Sequence, residues 1–166
     1  MLFGLGPPRA TGPDETRTEA LLDSLGREVQ AIRWGQQVHG RLVASLAPER
    51  GNPFAGVACV GRCDALITAE PGIGLLVWSA DCVPVLLFGE GVVAAVHSGW
   101  RGTVADIVGA VVRRFHSEFG VAADAVTAAL GPSISGPRYE VSRQVIDALS
   151  EREVPAGLWR QGRCVD

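Results

Sequence analysis

The stretch "SADCVPVLLFGEGVVAAVHSGW", residues 79–100, decides the fold. Two apolar runs, "VPVLLF" at 83–88 and "VVAAVH" at 92–97, flank "GEG" at 89–91. Runs of that length split by a short glycine turn predict an antiparallel hairpin. The strongest helical periodicity of the chain follows it: Val104, Ile107, Val108, Val111, Val112 and Phe115 recur at three- and four-residue spacing. Thr103, with Asp106 three residues on, resembles a capping box and predicts the helix start. Asp81 and Cys82 stand where a buried strand is due. Pro84 cannot donate to a sheet ladder, so "ADCVP" predicts a bulge or strand end at which both side chains can point at one spot.

Outward from the hairpin, strands dominate. "CDALIT" (63–68) and "GIGLLVWS" (72–79) are joined by the turn "AEPG". Earlier, "EVQAIRW" (28–34) and "GRLVASLA" (40–47) are divided by "GQQVHG", and "PERGNPFAG" (48–56) is a loop. Residues 1–13 are loose. Asp14 caps a helix over about 15–25 with Leu21, Leu22 and Leu25 inward and Gly26 ending it. Downstream, "AVTAAL" (125–130) is a strand, "GPSISGPRYEV" (131–141) a loop, and Ser142 caps a helix through about 151. The tail "VPAGLWRQGRCVD" holds one short strand. Strands outnumber helices and cluster mid-chain, which predicts an α+β fold rather than a doubly wound sheet. With 166 residues and no linker or repeat, the chain is expected to be one domain, 1–166.

Composition excludes several functions. A net charge of −3, with the arginines scattered, gives no basic patch for nucleic acid. The longest apolar run, Ile73 to Phe88, carries Ser79, Asp81 and Pro84, and a carboxylate at that depth makes a membrane span costly. The cysteines at 59, 63, 82 and 164 are too few for a disulfide framework, and "MLFGLGPPRA" has no signal-peptide pattern. A cytoplasmic protein, monomer or homodimer, is expected.

Three histidines are present. His116 lies beside Phe115, on the wet face of the predicted helix. His39 and His97 each end an apolar strand against a glycine turn, in "QQVHG" and "VHSGWRGT", where functional side chains are usually displayed. With Cys82 they make a ligand set suited to zinc. Three protein ligands leave a fourth position open, the catalytic pattern. The spacing matches no compact finger, and the same residues also fit a small core cysteine with two half-buried histidines. In "HSGWRGT" a helix start with Arg101 beside it can hold phosphate through the guanidinium and the turn amides from Gly99 and Gly102 to Thr103. It can equally be a tight turn with a solvated arginine. Trp100 stacks on a base or packs. Cys59 and Cys63 are expected to be core or surface cysteines, because no further ligands lie near them.

"QQVHG", "DALIT", "SADCVPVLLF", "AAVHSGWRGT" and "AALGPSISGPRYEV" stand in the same order as in the laccase-domain family, which the chain resembles from about residue 29 to 145. That family was once described as polyphenol oxidases and is now described as purine nucleoside phosphorylases with adenosine deaminase activity. The resemblance implies a zinc ion on His39, Cys82 and His97. It also implies two mixed β-sheets packed face to face with helices outside, as in the cytotoxic necrotizing factor catalytic domain. The implied substrates are adenosine, inosine, guanosine, methylthioadenosine and phosphate. Family members are longer, so the chain is expected to be short at both ends. Copper is expected to be adventitious, since a multicopper site needs more than three histidines.

On this reading Arg101 and the turn amides hold phosphate. Asp81 either orients a ligand imidazole or acts as acid and base. Asp64 is a weaker candidate for the same work. Gln37 is a candidate for a purine edge or ribose hydroxyl, and "GPSISGPRYE" lines the site. Two other readings compete. One is a metal-free cysteine hydrolase with Cys82 as nucleophile and His97 as base; the other is a non-catalytic remnant of the fold.

Overall fold

In a computed structural model, residues 15–24, 29–46 and 56–152 are described. The expected Asp14 cap, the inward Leu25, the Gly26 stop, the 48–55 loop and the tail strand fall outside them, as does the Leu22 side chain. Helix α1 spans Glu15–Ser24. Strands β1 (Ala31–Gln36), β2 (Val43–Leu46), β3 (Gly56–Arg62), β4 (Ala65–Thr68) and β5 (Ile73–Leu76) follow, then the hairpin β6 (Val83–Gly89) and β7 (Val92–Ser98). Helices α2 (Trp100–Val104) and α3 (Ile107–Phe119) come next, then β8 (Thr127–Leu130) and α4 (Arg143–Ser150). No helix among the described residues is long and apolar enough to cross a membrane.

The strands form two sheets, ordered β3-β1-β5 and β2-β4-β7-β6-β8. The pairings in the smaller sheet are parallel. The larger is mixed, with β2 parallel to β4 and the other pairs antiparallel. The sheets pack face to face. Ile32, Gly74 and Leu76 from one and Leu86, Val93 and Ala95 from the other line a shared apolar cavity. The architecture is therefore α+β, and it sets the strand ends of both sheets beside one another.

The hairpin is as expected. Glu90 and Gly91 both have positive φ, 47° and 82°, the pattern of a two-residue turn whose twist matches the strands. Pro84 is the second residue of β6 and pairs with His97 on β7. On the β8 side the ladder begins only at Val85, opposite Leu130, so the missing N–H falls where no partner strand needs it. Asp81 and Cys82 therefore lie just before the strand rather than within it.

The predicted single helix is two. α2 begins at Trp100, and the chain breaks at Asp106, which takes a left-handed conformation with φ 60° and caps α3. The Thr103 amide bonds to Gly99 within the short first helix instead of starting the long one. α3 then buries Ile107, Val111 and Phe115, four residues apart, on Ala65, Ile67, Val85, Leu87, Ala94 and Val96 of the larger sheet. It ends at Gly120, φ 75°, with Val121 N–H donating to the Phe115 carbonyl (3.0 Å) and Gly120 N–H to that of His116 (3.0 Å). The Gly120 bond, from a left-handed residue to the carbonyl four positions back, is an αL helix stop. His116 is exposed, on the wet face.

Strand β3 is the element the sequence conceals. Its residues are half-buried or exposed with no clean alternation, and Gly61 at φ 100° interrupts it. Within β1, Gly35 admits no side chain. A Cβ there would clash with Cys63 Sγ and stand 2.8 Å from the Cys63 carbonyl oxygen. Cys63 is a core cysteine. Burial pushes its thiol up to about 11, with the Asp64 and Cys59 charges adding to the shift. Cys59 is exposed. Alkylation of the folded protein at about pH 8, mapped by peptide mass spectrometry, is expected to label Cys59 and spare Cys63, because only the thiolate reacts. Equal labelling of both contradicts this packing.

Candidate metal centre

His39 sits in the turn between β1 and β2 with φ 56°, left-handed backbone that a non-glycine residue adopts only when held. The holder is Asp64, which directly precedes β4 and is 0% exposed. Its carboxylate accepts the backbone N–H groups of His39 (2.9 Å on Oδ1), Gly40 (2.8 Å on Oδ2) and Val38 (3.2 Å to each oxygen). Oδ1 also meets Nδ1 of His97 at 2.9 Å. Burial would push the Asp64 carboxyl up. The hydrogen bonds from His97, Gly40 and Val38, with the charge of His97, outweigh it and hold the carboxyl below the usual aspartate range. Asp64 is thus an ionised acceptor at neutral pH.

His97 lies near the end of β7, 3% exposed. With Nδ1 turned to a carboxylate, its Nε2 is the free nitrogen. The His39 and His97 rings meet edge to face, 4.8 Å between centroids and 87° between planes. Cys82 completes the group: the ligand atoms of His39, Cys82 and His97 all lie within 4.8 Å of one another. Burial pushes the Cys82 thiol up, and the negative charges of Asp81 and Asp64 push it further.

The donor set fits a divalent cation of the zinc type. Zinc bonds of about 2.0–2.3 Å at tetrahedral angles put donors roughly 3.3–3.7 Å apart, so a contraction of about 1 Å brings the three onto one ion. Space for it is kept by Gly99. A Cβ there would stand 3.0 Å from Cys82 Sγ and 3.2 Å from Cδ2 of His39, with Cε1 of His97 at 4.0 Å. Gly99→Ala is accordingly expected to weaken zinc binding about tenfold or more while leaving the fold in place, measured by competition with a chromophoric chelator. Unchanged affinity contradicts the packing of donors around Gly99.

Several expected contacts are otherwise engaged. Gln37 does not offer its amide to a ligand: Nε2 donates to the Trp78 carbonyl (2.8 Å) and Oε1 accepts the Trp78 N–H (2.6 Å). It ties the His39 turn to the segment leading into Cys82. Thr103 does not present donors to phosphate either. Its N–H and hydroxyl both donate to the Gly99 carbonyl (2.9 and 3.0 Å), and the hydroxyl also bonds Ser98 Oγ (2.9 Å). Gly102 is buried, and a Cβ on it would meet the Gly40 carbonyl oxygen at 2.9 Å, so its smallness serves the contact between α2 and the His39 turn. Arg101 remains. It is exposed, and its guanidinium lies 4.3 Å from the centre of the Trp100 ring.

Asp81 is exposed, and the imidazole-orienting bond comes from Asp64. The Asp81 carbonyl accepts the Ile134 N–H (3.1 Å) and that of Pro84 accepts the Gly131 N–H (2.9 Å), which docks the 131–139 loop on the Cys82 segment. That loop brings in a residue the sequence did not single out. Tyr139 is half-buried, and its hydroxyl is pushed up by burial and by the nearby Cys82 and Asp81 charges, so it stays protonated and can donate.

The five-motif pattern, set on two packed sheets with a Cys–His–His cluster at their strand ends, can be compared with known proteins. The sequence model of the family described as "Multi-copper polyphenol oxidoreductase laccase" matches residues 15–162. The chain belongs to this family. Among its laccase-domain relatives is the purine nucleoside phosphorylase SCO2081 of Streptomyces coelicolor, 42% identical over 130 residues that cover 76% of this chain and 51% of that protein. Another is the adenosine deaminase RL5 of an unknown prokaryotic organism, 43% identical over 90 residues, 53% of this chain and 34% of that one. The crystal structure of YlmD from Geobacillus stearothermophilus superposes with a TM-score of 0.66 at 29% identity, covering 82% of this chain and 52% of that one. The laccase-domain chain thus spans about half the length of these relatives, or less.

Proposed function

We propose that the chain is a zinc-dependent enzyme of purine nucleosides, a phosphorylase that also deaminates adenosine. The observation that carries this is the convergence of two imidazoles and one thiol within 4.8 Å, in a family with members named for those two activities. A cation held there supplies Lewis acidity toward a substrate oxygen or nitrogen. In phosphorolysis the bond from C1′ to the base breaks, a phosphate oxygen takes the base's place on C1′, and the base leaves with a proton. Arg101, braced on Trp100, is the phosphate binder in this reading, since a guanidinium fork suits phosphate. Asp81, exposed next to Cys82, is the acid and base that moves the proton. His39, Cys82 and His97 hold the cation, and Asp64 keeps His97 Nε2 aimed at it. Inosine, guanosine and methylthioadenosine join adenosine as substrates, and the enzyme works in the cytoplasm as monomer or homodimer.

A second reading has one observation in its favour. Cys82, His97 and Asp64 follow the order nucleophile, base, orienter of a cysteine hydrolase. Against it, the Cys82 thiol is pushed up rather than down, and His39 has no part in such a triad. Stoichiometric zinc separates the two.

The test is turnover of adenosine by zinc-loaded protein with and without phosphate, followed by liquid chromatography. Adenine formed only with phosphate, and inosine formed in both conditions, is the expected result. No product in either sinks the enzymatic reading and leaves a non-catalytic remnant.

A further inference from the structure

We propose that Asp64 is the positioning residue of this centre: its single carboxylate fixes the tautomer of His97 and the left-handed backbone at His39, so two of the three ligands are preset by one buried group. The inference rests on the metal reading above and deepens it.

Asp64 is 0% exposed, and a buried carboxylate is tolerated only where donors replace water. Here every donor comes from a ligand or its neighbours. His97 Nδ1 and the His39 amide meet Oδ1 (both 2.9 Å), the Gly40 amide meets Oδ2 (2.8 Å), and the Val38 amide is shared between them (3.2 Å). The Asp64 main chain is locked the same way. Its N–H donates to the Leu42 carbonyl (3.0 Å) past the His39 turn, and its carbonyl accepts the His97 N–H (2.7 Å). The residue therefore joins the His39 turn to β7 through both side chain and backbone.

The chemistry assigns the consequence. A carboxylate has only acceptors, so it selects the Nδ1–H form of a neutral imidazole and leaves the Nε2 lone pair for the cation. Asn in its place has one acceptor oxygen and one amino group. With the oxygen toward His97, the amino group faces the Gly40 amide, donor against donor. With the oxygen toward Gly40, the amino group faces His97 Nδ1 and selects the wrong tautomer. Either way one ligand loses its support, although size and shape are kept.

The experiment compares native protein with Asp64→Asn, both shown to be folded by circular dichroism. The expected result is zinc binding weakened about 10- to 100-fold, with an altered visible spectrum of the cobalt(II)-loaded form. Affinity within about threefold of native and an unchanged cobalt spectrum overturn the role. Where the variant does not fold, the native metal-free protein decides. Multiple-bond ¹⁵N–¹H NMR is expected to report His97 as the Nδ1–H tautomer, and an Nε2–H signal overturns the proposal. Native protein that binds no zinc defeats the metal reading itself, whatever the tautomer, so the two failures are distinct.

Discussion

Cys82→Ala is expected to bind no stoichiometric zinc and to lose phosphate-dependent nucleoside turnover by about 10³-fold or more. On the proposed function the thiol is the one sulfur donor in a candidate group of three, the minimum number of protein donors for a catalytic site. With two imidazoles left, affinity falls and the Lewis acid is missing at working zinc concentrations. Several kcal/mol of transition-state stabilisation goes with it, and about 1.4 kcal/mol is a factor of ten. The variant itself should fold, because Cys82 is half-buried just outside β6 and Ala adds no bulk. Metal content by atomic emission and product formation by chromatography check the two halves separately. Turnover that survives the substitution defeats the site. Zinc lost with turnover retained means that the metal is a bystander and favours a metal-free mechanism at other residues.

Phe115→Ala carries the largest expected cost to stability, about 3–5 kcal/mol. The ring is 0% exposed, the largest of the fully buried side chains among the described residues, and sits on α3 where the helix meets the larger sheet. Ala leaves a cavity that the surrounding Ile107, Val111 and Val121 cannot fill, since each is fixed in its own helix turn or cap. Against a typical stability of about 5–15 kcal/mol, that loss moves a urea midpoint far down. The measurement belongs on metal-free protein, because bound zinc adds its own stabilisation to the folded state. A loss below about 1 kcal/mol contradicts the packing of α3 described above.

The parts legible in the sequence were those set by short-range pattern. The β6–β7 hairpin follows from two apolar runs around "GEG", and the buried face of α3 from Ile107, Val111 and Phe115. His39, Cys82 and His97 stand out in the sequence because each lies near a strand end beside a glycine or proline, and the fold sets their ligand atoms within 4.8 Å of one another. What failed was the reach of polar side chains. Position next to Cys82 makes Asp81 a candidate orienter ahead of Asp64. Yet the residue just before a strand points wherever the bend turns it, and here that is outward. Asp64 directly precedes a strand whose every residue is buried, and its buried carboxylate finds donors on a turn two dozen residues earlier in the chain. Gln37 reads as a purine-edge candidate and Thr103 as a turn amide for phosphate; in the fold Gln37 bonds the main chain of Trp78 and Thr103 the carbonyl of Gly99, which no sequence pattern reveals. Helix α3 starts late because Asp106, not Thr103, takes the capping position, through a left-handed residue that periodicity does not reveal. Tyr139 carried one usable signal, its place in the loop already expected to line the site.

The central claim is that two imidazoles and one thiolate hold a single zinc ion. X-ray absorption of the zinc-loaded protein tests it most directly. The expected first shell holds one sulfur at about 2.3 Å and two imidazole nitrogens at about 2.0 Å, with the remaining position filled by a light atom. A first shell with no sulfur, or protein that retains no zinc after desalting, would contradict it.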